Sequence, residues 1–529
     1  MSQNRAFPPP VKRSVWTWHR LTGILTLVIA LSGDAMAQAV DLPVSEFGVL
    51  NNSVANLHVR GDSVWIGPFL NLTVDDGATF HRADSDSLFG TINRLFSIDV
   101  ENDVVAAGIG RADNSNGDGV QTAAGFLISE DGGNTFRFRF PQLDNPDDTT
   151  IVFGINTLPA LPIIAPQQSP PFDIDVDLAS GSLWVAGWAS GIRRSDDLGR
   201  SWSRVVLPPD DLDFVSPDSI HQFTVEPQLA GSGSLNHMGF SVLVDATGTV
   251  WAGTAGGLNR STDGGHSWQR FKTDGTTSSL TGNWVISIEE QPTGSGPVVW
   301  AATWNTGDVG GGINGQFGVT YTADGGATFN QSLHGERIFD FAFAGDRVYA
   351  AGDNGLFISE DQGRTWFTIS DFRDKSDPSR LVRPGSSVFS VDVTRSGSLW
   401  VGTSDGLLVS RDGGLSWTIF RTDVPVNPDV PSGRVPDVDT FAYPNPFSPS
   451  SDVFIRVKFE SDRDGQADLR VFDYAMNAVR TVSAPIVAGT SELLWDGQDD
   501  RGTRVANGVY FYEVETGNDR FRGKILVIE

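Results

Sequence analysis

The chain has 529 residues and a formal net charge of -27, with 65 Asp and Glu against 38 Lys and Arg. So acidic a composition argues against nucleic acid or an anionic membrane surface as a partner, and the absence of cysteine excludes disulfides, thiolate metal sites and haem attachment. The length allows several domains, or one large all-β domain with a smaller one.

Residues 1–37 read as a signal peptide. Arg5, Lys12, Arg13 and Arg20 form a positive region, Leu21 to Leu31 an apolar one, and Ala35-Met36-Ala37 a small-residue cleavage site. The apolar run is short for a membrane span and no other stretch exceeds it, so no transmembrane segment is expected after cleavage.

Residues 41–422 repeat. In the last copy an alternating strand at 388–393 is followed by a turn, by LWVGT at 399–403, by 406–410, by a tight turn and by 416–420. Four short strands separated by turn residues are the sequence form of a propeller blade. The first strand recurs at 54–59, 96–100, 172–176, 240–244, 285–288, 339–343 and 389–393. The second recurs as VWIG, VVAAG, LWVAG, VWAGT, VWAAT, VYAAG and LWVGT.

Each unit carries a turn of the form Ser/Thr-x-Asp-x-Gly-x-Ser/Thr-Trp/Phe, from TVDDGATF at 73–80 to SRDGGLSW at 410–417. An Asp in a tight turn accepts hydrogen bonds from nearby backbone N–H groups, and the Gly two positions on supplies a positive φ. The preceding hydroxyl ties down the turn entrance, while the closing aromatic buries apolar surface. Asp75, Asp131, Asp197, Asp263, Asp324, Asp361 and Asp412 are therefore expected to staple hairpins rather than to catalyse. This grammar resembles the Asp-box, or BNR repeat, of sialidase-like β-propellers. Seven copies imply an all-β chain whose larger domain is a seven-bladed β-propeller, with radial closure removing exposed strand edges. Whether residues 42–50 add a closing strand is open at this level.

The spacing between repeats is uneven, and the extra residues fall between consecutive units (141–171, 208–239, 371–387) or between second and third strands (108–124, 304–316). In a four-stranded meander both connections emerge on the face opposite the box turns, where binding or catalysis is expected. At the exits of the second strands stand Phe69, Trp188, Trp304, Asp353 and Asp405, with Asn305 and Asp308 beside them. Aromatics near acids and amides suit a sugar, whose apolar faces stack on rings while its hydroxyls hydrogen-bond outward. Arg94 and Arg337, with Arg383 nearby, precede first strands and would place positive charge at the channel mouth to receive a carboxylate.

Two enzyme readings compete with a binding module. The arginines are similar in role to a sialidase cluster, but the Phe/Tyr-Arg-Ile-Pro motif of that family is missing, and Tyr321 and Tyr349 fall on a third and a second strand. Asp353 and Asp405 sit in loops similar to the catalytic setting of xyloglucan-cleaving propeller hydrolases, though they depart from its Thr-Asp-x-Gly-Gly pattern and only one propeller is present. Asn114, Asn116 and Asp118 look like the front of a calcium loop, but position twelve of that register is Gly125 rather than Glu. A polar turn is the expected reading, with no cofactor beyond a calcium ion to consider.

Residues 423–440 are rich in Pro, Val and Asp without periodicity and read as a linker. From 441 to 529 alternating strands return at 453–459, 467–472 and 492–495, with YPNPF at 443–447, WDGQDDRG at 495–502, NGVYFY at 507–512 and KILVI at 524–528. These motifs in this order look like a FlgD-like immunoglobulin sandwich, of the kind used as a C-terminal sorting signal by the type IX secretion system. The resemblance implies an extracellular or outer-surface bacterial protein with the secretion machinery as one partner. The expected function is a non-catalytic binding or scaffold propeller for extracellular polysaccharide or glycoprotein, with a glycoside hydrolase as the alternative.

Overall fold

The computed structural model describes residues 36–42, 53–83, 93–113, 119–228, 231–304, 316–376, 381–382, 384–421, 439–443, 445–449, 454–517 and 519–528. Among these the chain is all-β, with one short 3-10 turn at Leu235–His237. No helix among the described residues is long and apolar enough to cross a membrane.

Seven antiparallel four-stranded meanders follow one another among the described residues. Their first strands are Leu57–Arg60, Arg94–Glu101, Pro171–Asp177, Gly239–Val244, Trp284–Thr293, Ile338–Ala344 and Val388–Val393. Each packs against the next and the seventh packs back on the first, so the meanders close into a ring around a central channel. This is a β-propeller. The seam lies between the last and first meanders, where the Val54 amide donates to the Thr403 carbonyl (2.9 Å), the Arg395 amide to the Gly61 carbonyl (2.7 Å), and the Val59 amide to the Asp392 carboxylate (2.7 Å). The last meander, from Val388–Val393 to Thr418–Phe420, is built wholly from consecutive residues. Strand Met36–Leu42 works elsewhere. It lies between the outer strands of the first and second meanders, pairing Ala39 with Ala83 and Ala37 with Phe136, and the expected cleavage site at Ala37 falls inside it.

The second strands are buried on both faces because each is flanked by strands of its own sheet and by the neighbouring meanders. Ser182–Gly187, Val250–Thr254 and Leu399–Thr403 have no residue open to solvent. Their tryptophans, Trp184, Trp251 and Trp400, with Trp300 of the fifth meander, are among the largest fully buried side chains. Losing one of them would cost roughly 3–5 kcal/mol.

The inner strands depart from simple alternation. In six meanders the pairing with the second strand slips by one residue at the same place, leaving Phe96, Phe172, Phe240, Ile286, Phe339 and Phe389 as the bulged residues. A bulge re-aims the side chain it carries. An uninterrupted period of two was expected here, and the periodicity alone carries no sign of the extra residue.

The box turns share one hydrogen-bond pattern. In the fourth, the Ser261 hydroxyl donates to Asp263 Oδ1 (2.7 Å) and accepts the Gly265 amide (2.8 Å), while Ser267 donates its amide (2.9 Å) and its hydroxyl (2.5 Å) to the same carboxylate. Those contacts hold Asp263 below the usual carboxylate range despite partial burial. The Thr365 amide and hydroxyl hold Asp361 down at about 2, and the hydroxyls of Ser416 and Ser410 do the same for Asp412. The position between Asp and Gly also takes a positive φ, including Asp76 at 58°, Leu198 at 56° and Gln362 at 58°. The glycine two positions after the Asp has a further reason to lack a side chain: a Cβ at Gly363 would stand 2.4 Å from the Trp300 ring of the preceding meander.

Residues from 439 onward form a sandwich of a three-stranded sheet (Thr440–Tyr443, Ile455–Ser461, Gly489–Trp495) and a four-stranded one (Ala478–Ile486, Gly465–Phe472, Gly508–Thr516, Asp519–Val527). Ala478–Ile486 has no counterpart among the expected strands; it is a largely exposed edge, so its apolar signal is weak. The YPNPF motif ties the first strand to the last. The Leu526 amide donates to Asn445 (2.9 Å), and the amides of Phe447 and Ile528 bond the carbonyls of Leu526 (2.8 Å) and Phe447 (3.0 Å).

Candidate functional site

The bulges turn a row of aromatics toward the channel mouth on the face opposite the box turns. Phe96 lies 6.3 Å from Phe172, which stacks on Phe240 at 6.1 Å. Phe240 in turn meets Trp188 (5.0 Å) and Trp284 (5.5 Å), themselves 5.6 Å apart edge to face. Trp284 is the cross-strand partner of Trp304. The arc continues through Trp304 to Phe339 (5.7 Å) and Phe389 (5.4 Å). All of these rings are half-buried, with edges open to solvent.

Three residues singled out from the sequence meet on this arc. The Arg337 guanidinium lies 3.9 Å from the centre of the Trp304 ring and 5.3 Å from that of Phe339. Its Nη1 donates to Asp353 Oδ2 (3.4 Å), whose other oxygen accepts the Ser387 hydroxyl (3.0 Å). The Trp304 indole donates to the Ile338 carbonyl (3.0 Å), which fixes the ring face beneath the arginine. Arg337 Nε is buried without a hydrogen-bond partner among the described residues. Trp188 belongs to the same arc two meanders away. Arg94 caps its far end, 5.3 Å above the Phe96 ring, with Nη2 donating to Gln121 (3.2 Å).

Asp405 is elsewhere. Its carboxylate accepts Arg456 Nη2 of the sandwich (2.9 Å) and lies 3.6 Å from Arg421. The seven box carboxylates are held in their turns on the opposite face. Asn305, Asp308, Arg383, Asn114, Asn116 and Asp118 lie outside the described residues. Among the described residues no group of three or more His, Cys, Asp or Glu is drawn together closely enough to hold a metal ion. Tyr321 stacks on Trp300 at 4.2 Å, and Tyr349 is buried between the last two meanders.

Below the aromatic arc the channel opens into a cavity of about 160 Å³ lined by His58, Asp173, Glu289 and Asp340 among others. Asp99, Asp175 and Asp392 belong to the same inner strands. Several of these acids link neighbouring meanders. Asp99 Oδ2 accepts the Val176 amide (2.6 Å), Asp173 that of Val242 (2.9 Å), Asp175 that of Val244 (3.1 Å), Asp340 that of Val391 (3.0 Å) and Asp392 that of Val59 (2.7 Å). His58 takes the same role between the first and second meanders, its Nε2 accepting the Val100 amide (3.2 Å). The residues are half-buried, and protein encloses their carboxyls on every side but the channel. That enclosure, with the like charge of Asp99, pushes Asp173 up to about 7. Burial and the charge of Asp392 push Asp340 to about 8, and burial pushes Asp392 to about 6. Asp175 and Glu289 rise well above the carboxylate range for the same reasons.

Neither the bulged aromatics nor this ring of acids was anticipated from the sequence. The signal was present as Phe-x-x-Asp in the inner strands, at Phe96/Asp99, Phe172/Asp175 and Phe389/Asp392, with Ile286/Glu289 as a variant.

Residues 452–520 match the FlgD Ig-like domain family. No curated protein matches the chain in sequence. Among solved structures, it is similar to PorZ, a surface component of the type IX secretion system of Porphyromonas gingivalis, at 13% identity and a TM-score of 0.35, covering 90% of this chain and 75% of that one. It is similar to the GH74 xyloglucanase of Xanthomonas campestris at 13% identity and a TM-score of 0.45, with coverage of 92% and 68%. YCF48 from Cyanidioschyzon merolae follows at 16% identity and a TM-score of 0.37, covering 61% of this chain and 84% of that one.

Proposed function

We propose that this protein is an exported, non-catalytic binding module: a seven-bladed Asp-box propeller that presents the channel-mouth aromatic arc to extracellular polysaccharide or glycoprotein. The leader at 1–37 would take it out of the cytoplasm, and the FlgD-like sandwich would serve as its sorting domain for the type IX machinery. The observation that carries the binding role is the Trp304–Arg337–Asp353 cluster. A guanidinium held on the Trp304 ring and a carboxylate converge there on a half-open surface beside the half-buried rings of Trp188 and Trp284, and rings next to fixed polar groups are the combination that stacks a sugar and hydrogen-bonds its hydroxyls. Side chains already held by Ile338 and Ser387 lose little freedom on binding. A hydrolytic role for Asp405 finds less support, because two arginines already engage its carboxylate.

The test is retention of the mature protein on immobilised plant, microbial and sialylated glycans. Retention by at least one glycan, lost in Trp304→Ala and in Arg337→Ala at unchanged melting temperature, is expected. Sustained release of sugar from that panel, abolished by Asp353→Asn, would replace the binding reading with a hydrolase.

A further inference from the structure

Strand Ile455–Ser461 of the sandwich buries residues on both of its faces. Ile455, Val457 and Phe459 point into the sandwich core. Arg456 and Lys458 alternate with them, and so point outward, yet they are only 1% and 3% exposed. Glu492, paired with Lys458 on the adjacent strand, is buried as well. A two-layer sandwich has nothing of its own to cover the outer face of a sheet, so a third layer must lie against it. That layer is the seventh meander of the propeller.

The contact is a quartet of charges. Arg456 Nη2 donates to Asp405 Oδ2 (2.9 Å) and to the Leu381 carbonyl (2.9 Å). Arg421, which follows the last strand of the ring and is fully buried, donates to the same Leu381 carbonyl (2.6 Å) and to the Asp405 carbonyl (3.2 Å). Glu492 Oε1 stands 3.5 Å from the Arg421 guanidinium and 3.6 Å from that of Arg456. Each domain contributes one arginine and one carboxylate, and each charge faces an opposite charge from the other domain. The set is neutral, and its signs match in one register only. Tyr443 is half-buried beside it, with its hydroxyl enclosed and its ring 5.9 Å from the Arg456 guanidinium.

A buried pair of this kind differs from an exposed ion bridge. Removing one member leaves its partner charged in a poorly solvated place, and salt screens the set weakly. An outer sheet face carrying Arg456, Lys458 and Glu492 also has little apolar surface with which to bind a non-specific partner.

We infer that the C-terminal sandwich is a seated layer of the propeller rather than a detachable tag, and that it stays bound to the seventh meander when the chain between them is cut. This does not depend on the glycan-binding reading, and it bears on export only in that the quartet-bearing face of the sandwich is closed to other partners. The experiment places a specific protease site within residues 424–437 of the full chain, cuts the folded protein, and follows the two pieces by size exclusion and native mass spectrometry in 0.15 and 0.5 M salt. The expected result is a single species of the uncut mass at both salts. Arg456→Met in the same background is expected to weaken the association roughly 100-fold or more. The exchange of Arg456→Asp with Asp405→Arg is expected to recover part of it. Separation of the wild-type pieces at micromolar concentration would overturn the inference. So would an Arg456→Met protein whose pieces hold together as tightly as the wild type.

Discussion

The channel acids make stability depend on pH in an unusual direction, and Glu289→Gln isolates the effect. No described residue donates a hydrogen bond to Glu289, and Asp340, Asp173, Asp392 and Asp99 all repel it. A carboxyl whose folded pKa is raised holds its proton where the unfolded chain has already lost it. Its favourable contribution is complete below about pH 4 and is lost as pH rises through the folded value. For Asp392, Asp173 and Asp340 those values are about 6, 7 and 8. Each such carboxyl removes about 1.4 kcal/mol of stability per pH unit across that window. Relative to Glu289→Gln, the wild type should therefore lose more stability between pH 5 and pH 8, by at most about 1.4 kcal/mol for each pH unit over which Glu289 keeps its proton in the folded chain alone. In a ring of this size each such pH unit corresponds to a melting difference of about 1–2 °C. Thermal melts of both proteins at pH 5, 6.5 and 8 read it directly. The variant is expected to match the wild type at pH 5 and to melt higher at pH 8. Parallel curves, or a variant less stable at pH 8, would refute the reasoning. The box carboxylates act oppositely: contacts that hold Asp361 and Asp412 at about 2 are lost as pH falls below about 4, so maximum stability is expected in mildly acid solution.

Gly363→Ala forces a left-handed φ of 81° on a residue with a Cβ and pushes it against the Trp300 ring, a cost of roughly 2–4 kcal/mol readable as a lower urea midpoint. Asp263→Ala strips acceptors from Ser261 and Ser267 and should cost about 1–2 kcal/mol in the same assay. Asp392→Ala leaves the Val59 and Val393 amides without their carboxylate. It is expected to cost about 1–3 kcal/mol and to raise hydrogen exchange first at Val59, on the seam; exchange rising evenly around the ring would contradict that assignment.

What the sequence disclosed follows from the range of each interaction. Box turns are local. The hydrogen bonds of Asp263 reach no farther than four residues, so seven copies could be placed from residue types alone. Second strands such as Leu399–Thr403 carry an unbroken apolar run because both their faces are buried, and they were legible for that reason. The outward positions of Trp304 and Asp353 followed from counting second-strand exits and that of Arg337 from counting first-strand entries, but their convergence is a matter of tertiary distance. The bulge at Phe339 was invisible because one unpaired residue leaves no compositional trace. Asp405 was misleading for a different reason. Its loop reads like an exposed strand exit, and the residue that covers it, Arg456, lies 51 positions downstream in another domain.

The channel acids and the closure of the ring have one physical explanation. Here the last meander is complete in itself, and among the described residues no strand from the other end of the chain crosses the seam. What crosses it instead are an apolar cluster of Val64, Ile66 and Phe80 with Trp400 and Leu407, and single bonds, among them the Val59 amide to Asp392 at the channel and the Arg411 guanidinium to Asp76 at the box turns. The Asp392 bond is one instance of a pattern repeated at Asp99, Asp173, Asp175 and Asp340, in which an inner-strand carboxylate accepts an amide of the next meander. A carboxylate suits the position because the inner strand is the edge of its sheet, so that alternate amides have no strand partner, and a buried N–H without an acceptor costs about 1–3 kcal/mol. Repeating the solution around a narrow channel concentrates like charge there. Burial raises the pKa values, and at Asp173, Asp175, Glu289 and Asp340 that crowding adds to it: protons relieve the repulsion that amide bonds alone do not. Glu289, which accepts no amide, shares the repulsion without sharing the stapling. At the contacts of the fourth meander with the fifth and of the fifth with the sixth, Leu243 and Glu289 stand where the amide-accepting Asp is found elsewhere, so these contacts are held less by the channel carboxylates and more by the packing of Trp251 and Trp300.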